Sequence, residues 1–80
     1  MKVDILAFGI VKEIVSGSTI AVAMEGESTV SKLKTELEQQ YPRLKQLSSF
    51  MIAVNGAYAN GETIINTGDE VAIIPPVSGG

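Results

Sequence analysis

The chain has 80 residues, which is enough for one small domain with a single modest core. It contains no cysteine and no histidine, which excludes disulfides, the usual zinc ligand sets and Cys- or His-based nucleophilic catalysis, and leaves carboxylates, hydroxyls, lysines or the chain terminus for any chemistry. Six basic residues against nine acidic ones give a net charge of −3, opposite to the footprint of a nucleic-acid binder.

The first segment, Val3 to Phe8, is apolar on both alternating faces except at Asp4, which predicts a strand near the middle of a sheet. Ile10 and Ile14 stand one helical turn apart, and Ser16-Gly17 follows, so a short helical turn with a glycine stop is expected over residues 10–15. A second strand is predicted over Ser18 to Met24, with Ile20, Val22 and Met24 on one face, until Glu25-Gly26-Glu27 breaks the pattern. The clearest helix runs from Val30 to Tyr41. Ser28 or Thr29 supplies its N-cap, Pro42 forbids its continuation, and Val30, Leu33, Leu37 and Tyr41 share one face. Its charged residues, Lys32, Lys34, Glu36 and Glu38, read as a solvated face.

The remainder is a series of short strands. Phe50 to Val54 runs into Asn55-Gly56, a dipeptide suited to a tight hairpin. Asn60-Gly61 and Asn66-Thr67-Gly68-Asp69 supply turns on either side of a third apolar segment, Thr63 to Ile65, and Glu70 to Ile74 makes the last strand, stopped by Pro75. Two strands, a helix and then more strands predict an α+β domain over residues 1–74. In it a mixed sheet of about five strands packs on one main helix, with the first strand parallel to the last: the β-grasp (ubiquitin-like) arrangement.

Three patterns bear on function. Gly56 to Thr63 imitates a phosphate-binding loop, but Glu62 stands where that chemistry needs a lysine, and a strand pattern follows where a helix is required. The pairs Glu25/Glu27 and Asp69/Glu70 sit in or beside turns, where acidic side chains are ordinarily solvated, and nothing in the pattern supplies the burial that acid–base work requires. The third pattern is the tail over residues 75–80, Pro75, Pro76, Val77, Ser78, Gly79 and Gly80. Its prolines cannot extend the sheet, and its closing glycines carry no side chain, so a narrow channel can close on bare backbone. Extended, these residues reach on the order of 20 Å, far enough to place the Gly80 carboxylate in another protein's active site. Gly80 is therefore read as the working group. Phe8, Ile73, Ile74 and Val77 lie around the exit of the tail, where apolar residues serve either the core or a docking patch, the patch being expected for the tail-proximal ones.

The chain resembles the family of molybdopterin synthase small subunits, which are ubiquitin-like sulfur carriers. The resemblance is carried by Leu6-Ala7-Phe8 with Val11-Lys12-Glu13, by Thr29-Val30, by Ala53-Val54-Asn55, and above all by Gly68-Asp69-Glu70-Val71-Ala72 running into Pro75-Pro76-Val77-Ser78-Gly79-Gly80. Lys12 stands where this family usually has arginine, Ile73 and Ile74 where aromatics are common, and Gly9 where alanine is common.

The resemblance implies a cycle. A ubiquitin-activating-like adenylyltransferase consumes ATP to adenylate Gly80, and a sulfurtransferase system converts the adenylate to a thiocarboxylate. The tail, Pro75 to Gly79, then inserts into the synthase large subunit, where sulfur passes to cyclic pyranopterin monophosphate to form the molybdopterin dithiolene. It also implies a heterotetramer with that subunit, a partner interface at Phe8, Lys12, Ile73 and Ile74, no cofactor bound by this chain, and a carried reactant rather than an enzyme acting alone. The rival readings are a thiamine-type sulfur carrier, a ubiquitin-like protein modifier using the same terminus, and an interaction module with an idle tail. Apolar runs too short to span a membrane, and the lack of a secretory pattern after Met1-Lys2, predict a cytoplasmic protein without membrane or nucleic-acid partners.

Overall fold

The computed structural model describes residues 1–47 and 50–75. Of the expected tail only Pro75 falls within them; Pro76, Val77, Ser78, Gly79 and Gly80 lie outside the described residues. The elements in order are β1 (Lys2–Ala7), α1 (Ile10–Val15), β2 (Thr19–Ala23), α2 (Val30–Gln40), a 3₁₀ turn (Pro42–Gln46), β3 (Met51–Val54), β4 (Ala57–Tyr58) and β5 (Val71–Ile74). They form a five-stranded mixed sheet in the order β2-β1-β5-β3-β4, with β1 parallel to β5 and the other pairs antiparallel. This is the β-grasp arrangement expected from the order of strands and helix.

Helix α2 starts where its cap permits. The Thr29 side chain accepts a hydrogen bond from the Lys32 N–H at 3.2 Å, and the helix stops before Pro42. Its apolar stripe, Val30, Leu33 and Leu37, is buried against one face of the sheet, where Val3, Ile5, Ala7, Val22, Ile52, Val71 and Ile73 are buried in turn. Each fully buried Leu or Ile contributes about 1.5–3 kcal/mol relative to exposure.

Two local expectations are corrected. Helix α1 ends on Ser16, which takes the left-handed conformation at φ 60°, while the Gly17 N–H bonds back to the Lys12 carbonyl at 3.0 Å; the serine, not the glycine, makes the turn. Thr63 to Ile65 is not a sheet strand. Its backbone serves the start of α2 instead, through Val30 N–H to Thr63 O at 2.9 Å, Ile65 N–H to Ser28 O at 2.7 Å and an isolated bridge between Thr29 and Ile64.

β1 is an inner strand, as expected, lying between β2 and β5. β1 is buried on one face only: Val3, Ile5 and Ala7 are buried, whereas Asp4 is exposed, Leu6 half-buried and Phe8 46 % exposed. One main helix can cover only one side of a sheet, and the other side is left open. No helix of the described residues is long and apolar enough to cross a membrane.

Candidate functional site: an open sheet face at the exit of the tail

The strand register lays one row of side chains across the open face. Leu6 lies opposite Ala72, Ala72 opposite Ala53, and Ala53 opposite Tyr58. Two adjacent alanines between Leu6 and Tyr58 leave a trough, and the resulting groove has a volume of about 340 Å³. Phe8 and Ile74 line it as well, and so do Gly56 and Glu70. Tyr58 is 65 % exposed and Phe8 46 % exposed, a large apolar surface for so small a domain.

The chain leaves the sheet at this groove. β5 ends at Ile74, and Pro75 follows directly. Gly9, between β1 and α1, has φ 55° and ψ −134°, a conformation that glycine adopts without strain. A Cβ built there would lie 3.1 Å from Pro75 Cγ, so the bare backbone of Gly9 is the seat against which Pro75 packs.

The start of β5 is held by side-chain hydrogen bonds. Asn55, at φ 53° in the turn after β3, donates from Nδ2 to Asp69 Oδ1 at 3.0 Å and accepts the Glu70 N–H on Oδ1 at 2.9 Å. Asp69 Oδ2 accepts the Asn66 N–H at 2.8 Å. These bonds, from the Asn66 backbone first and the Asn55 side chain second, hold the Asp69 carboxyl below its ordinary pKa. The pair Asp69/Glu70 is thus a turn brace, and the two sequence blocks Ala53-Val54-Asn55 and Gly68 to Ala72 are neighbours in space joined by that brace. In the loop that imitates a phosphate site, Asn60 Oδ1 accepts the Glu62 N–H at 2.9 Å and the Thr63 hydroxyl at 3.2 Å, which spends polar groups a phosphate would need. No group of three or more acidic residues placed to hold a metal occurs among the described residues.

The structure brings together two of the expected interface residues, Phe8 and Ile74, in one groove. Ile73 is corrected: it is fully buried, because adjacent strand residues point to opposite faces and Ile73 shares the helix-covered side with Ala7 and Ile52. Lys12 is exposed on α1 and is not among the residues lining the groove. Leu6, Ala53, Tyr58 and Ala72 also line the groove, although none of them was expected at the interface. Period-two alternation pointed to Leu6 and Ala72, which share parity with Phe8 and Ile74, once a single helix was seen to cover one face.

A five-stranded mixed sheet packed on one helix, with the chain departing after the central β5, defines the ubiquitin-like β-grasp class. SAMP1 from Haloferax volcanii superposes with a TM-score of 0.82 at 25% identity, covering 100% of both chains. The chain belongs to the ThiS family, whose profile matches residues 5–80. The molybdopterin synthase sulfur carrier subunit of Mycobacterium tuberculosis is 38% identical over 82 residues, covering 100% of this chain and 99% of that one. A chain in the complex of subunits 1 and 2 of the molybdopterin-converting factor of Helicobacter pylori matches with a TM-score of 0.69 at 25% identity, covering 100% of both.

Proposed function

We propose that this chain is the sulfur carrier subunit of a molybdopterin synthase, with Gly80 as the carrying group. The observation that carries the reading is the end-to-end match to the Mycobacterium tuberculosis sulfur carrier, over 100% of this chain. A terminal carboxylate has a pKa of roughly 3.5 and is an unreactive anion at neutral pH, so it must be activated. A carboxylate oxygen of Gly80 attacks the α-phosphate of ATP on an adenylyltransferase, and pyrophosphate leaves. Sulfur supplied at the sulfide level then attacks the acyl carbon and displaces AMP, which leaves the thiocarboxylate. Its sulfur is the nucleophile toward cyclic pyranopterin monophosphate, and hydrolysis of the acyl link returns the Gly80 carboxylate. Two such deliveries make the dithiolene, in the cytoplasm.

In this reading Pro75 to Gly79 thread into the large subunit, and Phe8, Ile74 and Tyr58 dock against it beside the point where the tail leaves. The Helicobacter pylori complex of two converting-factor subunits supports such a partner, and in this reading the two kinds of subunit assemble as a heterotetramer. Lys12 contributes at the rim, where a charge sets approach rather than affinity. The test is reconstitution: thiocarboxylated chain mixed with the large subunit must convert cyclic pyranopterin monophosphate to molybdopterin.

The likeness to SAMP1, a small archaeal modifier protein, favours one second reading, a protein modifier that forms isopeptide bonds through Gly80. Lysine conjugates formed with the activating enzyme present, together with failed reconstitution, would select it over the sulfur carrier.

A further inference from the structure

The sheet has two outer strands and treats them differently. β4 is two residues long, too short to template another strand. β2 runs from Thr19 to Ala23 in unbroken register with β1, without a proline, a charge or a bulge, the devices by which edge strands resist pairing.

Its hydrogen bonding is fixed by the pairs at its ends. Met1 N–H donates to Met24 O at 2.8 Å and Met24 N–H to Met1 O at 2.7 Å, and Ala7 N–H donates to Ser18 O at 2.9 Å. Antiparallel ladders alternate, so Ile20 and Val22 also bond inward to β1, and Thr19, Ala21 and Ala23 aim their N–H and C=O groups outward. These three residues are exposed, and among the described residues β2 pairs with β1 alone. At the same edge Ile20 is only half covered, at the margin of the core.

We propose that two copies of this chain associate by antiparallel β2–β2 pairing about a two-fold axis at Ala21. That register places Thr19 opposite Ala23 and Ala21 opposite Ala21, so every outward-facing residue meets an outward-facing residue and the whole strand is used. A slip of one residue would set outward groups against inward ones. On the helix-covered face Ile20 lies beside Val22 of the other copy, which extends the apolar layer across the joint. On the open face only Thr and Ala meet. The strand is self-complementary in hydrogen-bond parity and in side-chain size, which selects a second copy over a foreign segment. With a net charge of −3 on each copy, pairing strengthens as salt screens the repulsion. No β2 residue lines the groove, so the inference stands apart from the proposed function.

The test is sedimentation and amide NMR on the full chain from micromolar to millimolar concentration. The expected result is a monomer–dimer equilibrium whose concentration-dependent shifts centre on the amides of Thr19, Ala21 and Ala23. Ala21→Lys sets two like charges directly opposite and weakens pairing at least about tenfold, as does Ala21→Glu, and mixing the two variants restores it. Both variants keep wild-type amide dispersion. A chain that stays monomeric at millimolar concentration, or a dimer whose shifts map to Phe8, Tyr58 and Ile74 and ignore Ala21→Lys, overturns the proposal.

Discussion

Replacing Gly9 with alanine perturbs the seat of the tail and little else. Two effects act together. At φ 55° and ψ −134° an L-residue is strained, and such sparsely populated conformations cost about 1–3 kcal/mol. The new Cβ also sits 3.1 Å from Pro75 Cγ, so Pro75 must give way by a few tenths of an ångström. In a domain of this size each kcal/mol moves Tm by about 4–8 °C, so Gly9→Ala lowers it by roughly 5–20 °C. Gly68→Ala is the control: φ is 90° there, a Cβ would meet nothing within 4 Å, and the residue does not line the groove, so it carries strain without touching the exit of the tail. Thermal melts give the cost of each variant, and reconstituted sulfur transfer per folded molecule gives the effect on delivery. The expected result is two destabilised proteins of which only Gly9→Ala transfers poorly. Equal transfer by the two variants would refute the role of Gly9 in aiming Pro75.

Phe8→Ala is expected to weaken binding of the synthase large subunit at least about tenfold, the effect of losing an aromatic anchor, with little change in Tm; isothermal calorimetry and melting curves read the two effects. Ile73→Ala, one residue from the groove but in the core, costs about 2–5 kcal/mol of stability instead, measured by urea unfolding. Asp69 contributes stability above its unfolded pKa of 3.8, because its folded pKa is depressed; the contribution is lost as pH falls through the folded value. Asp69→Ala is therefore less stable than wild type at neutral pH, and the gap in Tm narrows below pH 3.8. One residue added after Gly80 abolishes sulfur transfer without moving Tm, and activity retained by that variant contradicts the role of the terminus.

Local signals made much of this fold legible. Thr29, the spacing of Val30, Leu33 and Leu37, and Pro42 define α2 from neighbours alone, and Asn55-Gly56 takes two positive φ angles, 53° and 82°, as a tight hairpin requires. The parallel pairing of β1 with β5 followed from crossover handedness. What sequence hid was the difference between the two faces. Leu6, Phe8, Ala72 and Ile74 are as apolar as the core residues between them, and only the position of α2 decides that they face outward. Ile73 and Ile74 differ in nothing but parity. The brace from Asn55 to Asp69 spans 14 residues, and each partner alone reads as an ordinary turn residue.

The central claim is that Gly80 carries sulfur, and mass spectrometry of the C-terminal peptide after thiol alkylation tests it most directly. The chain has no cysteine, so an alkylated peptide has no ordinary thiol to account for it. Protein co-expressed with its activating enzyme and sulfur donor is predicted to carry the alkyl group on Gly80 as a thioester. A free carboxylate at Gly80 under conditions in which a known carrier is sulfurated by the same enzymes would contradict the account.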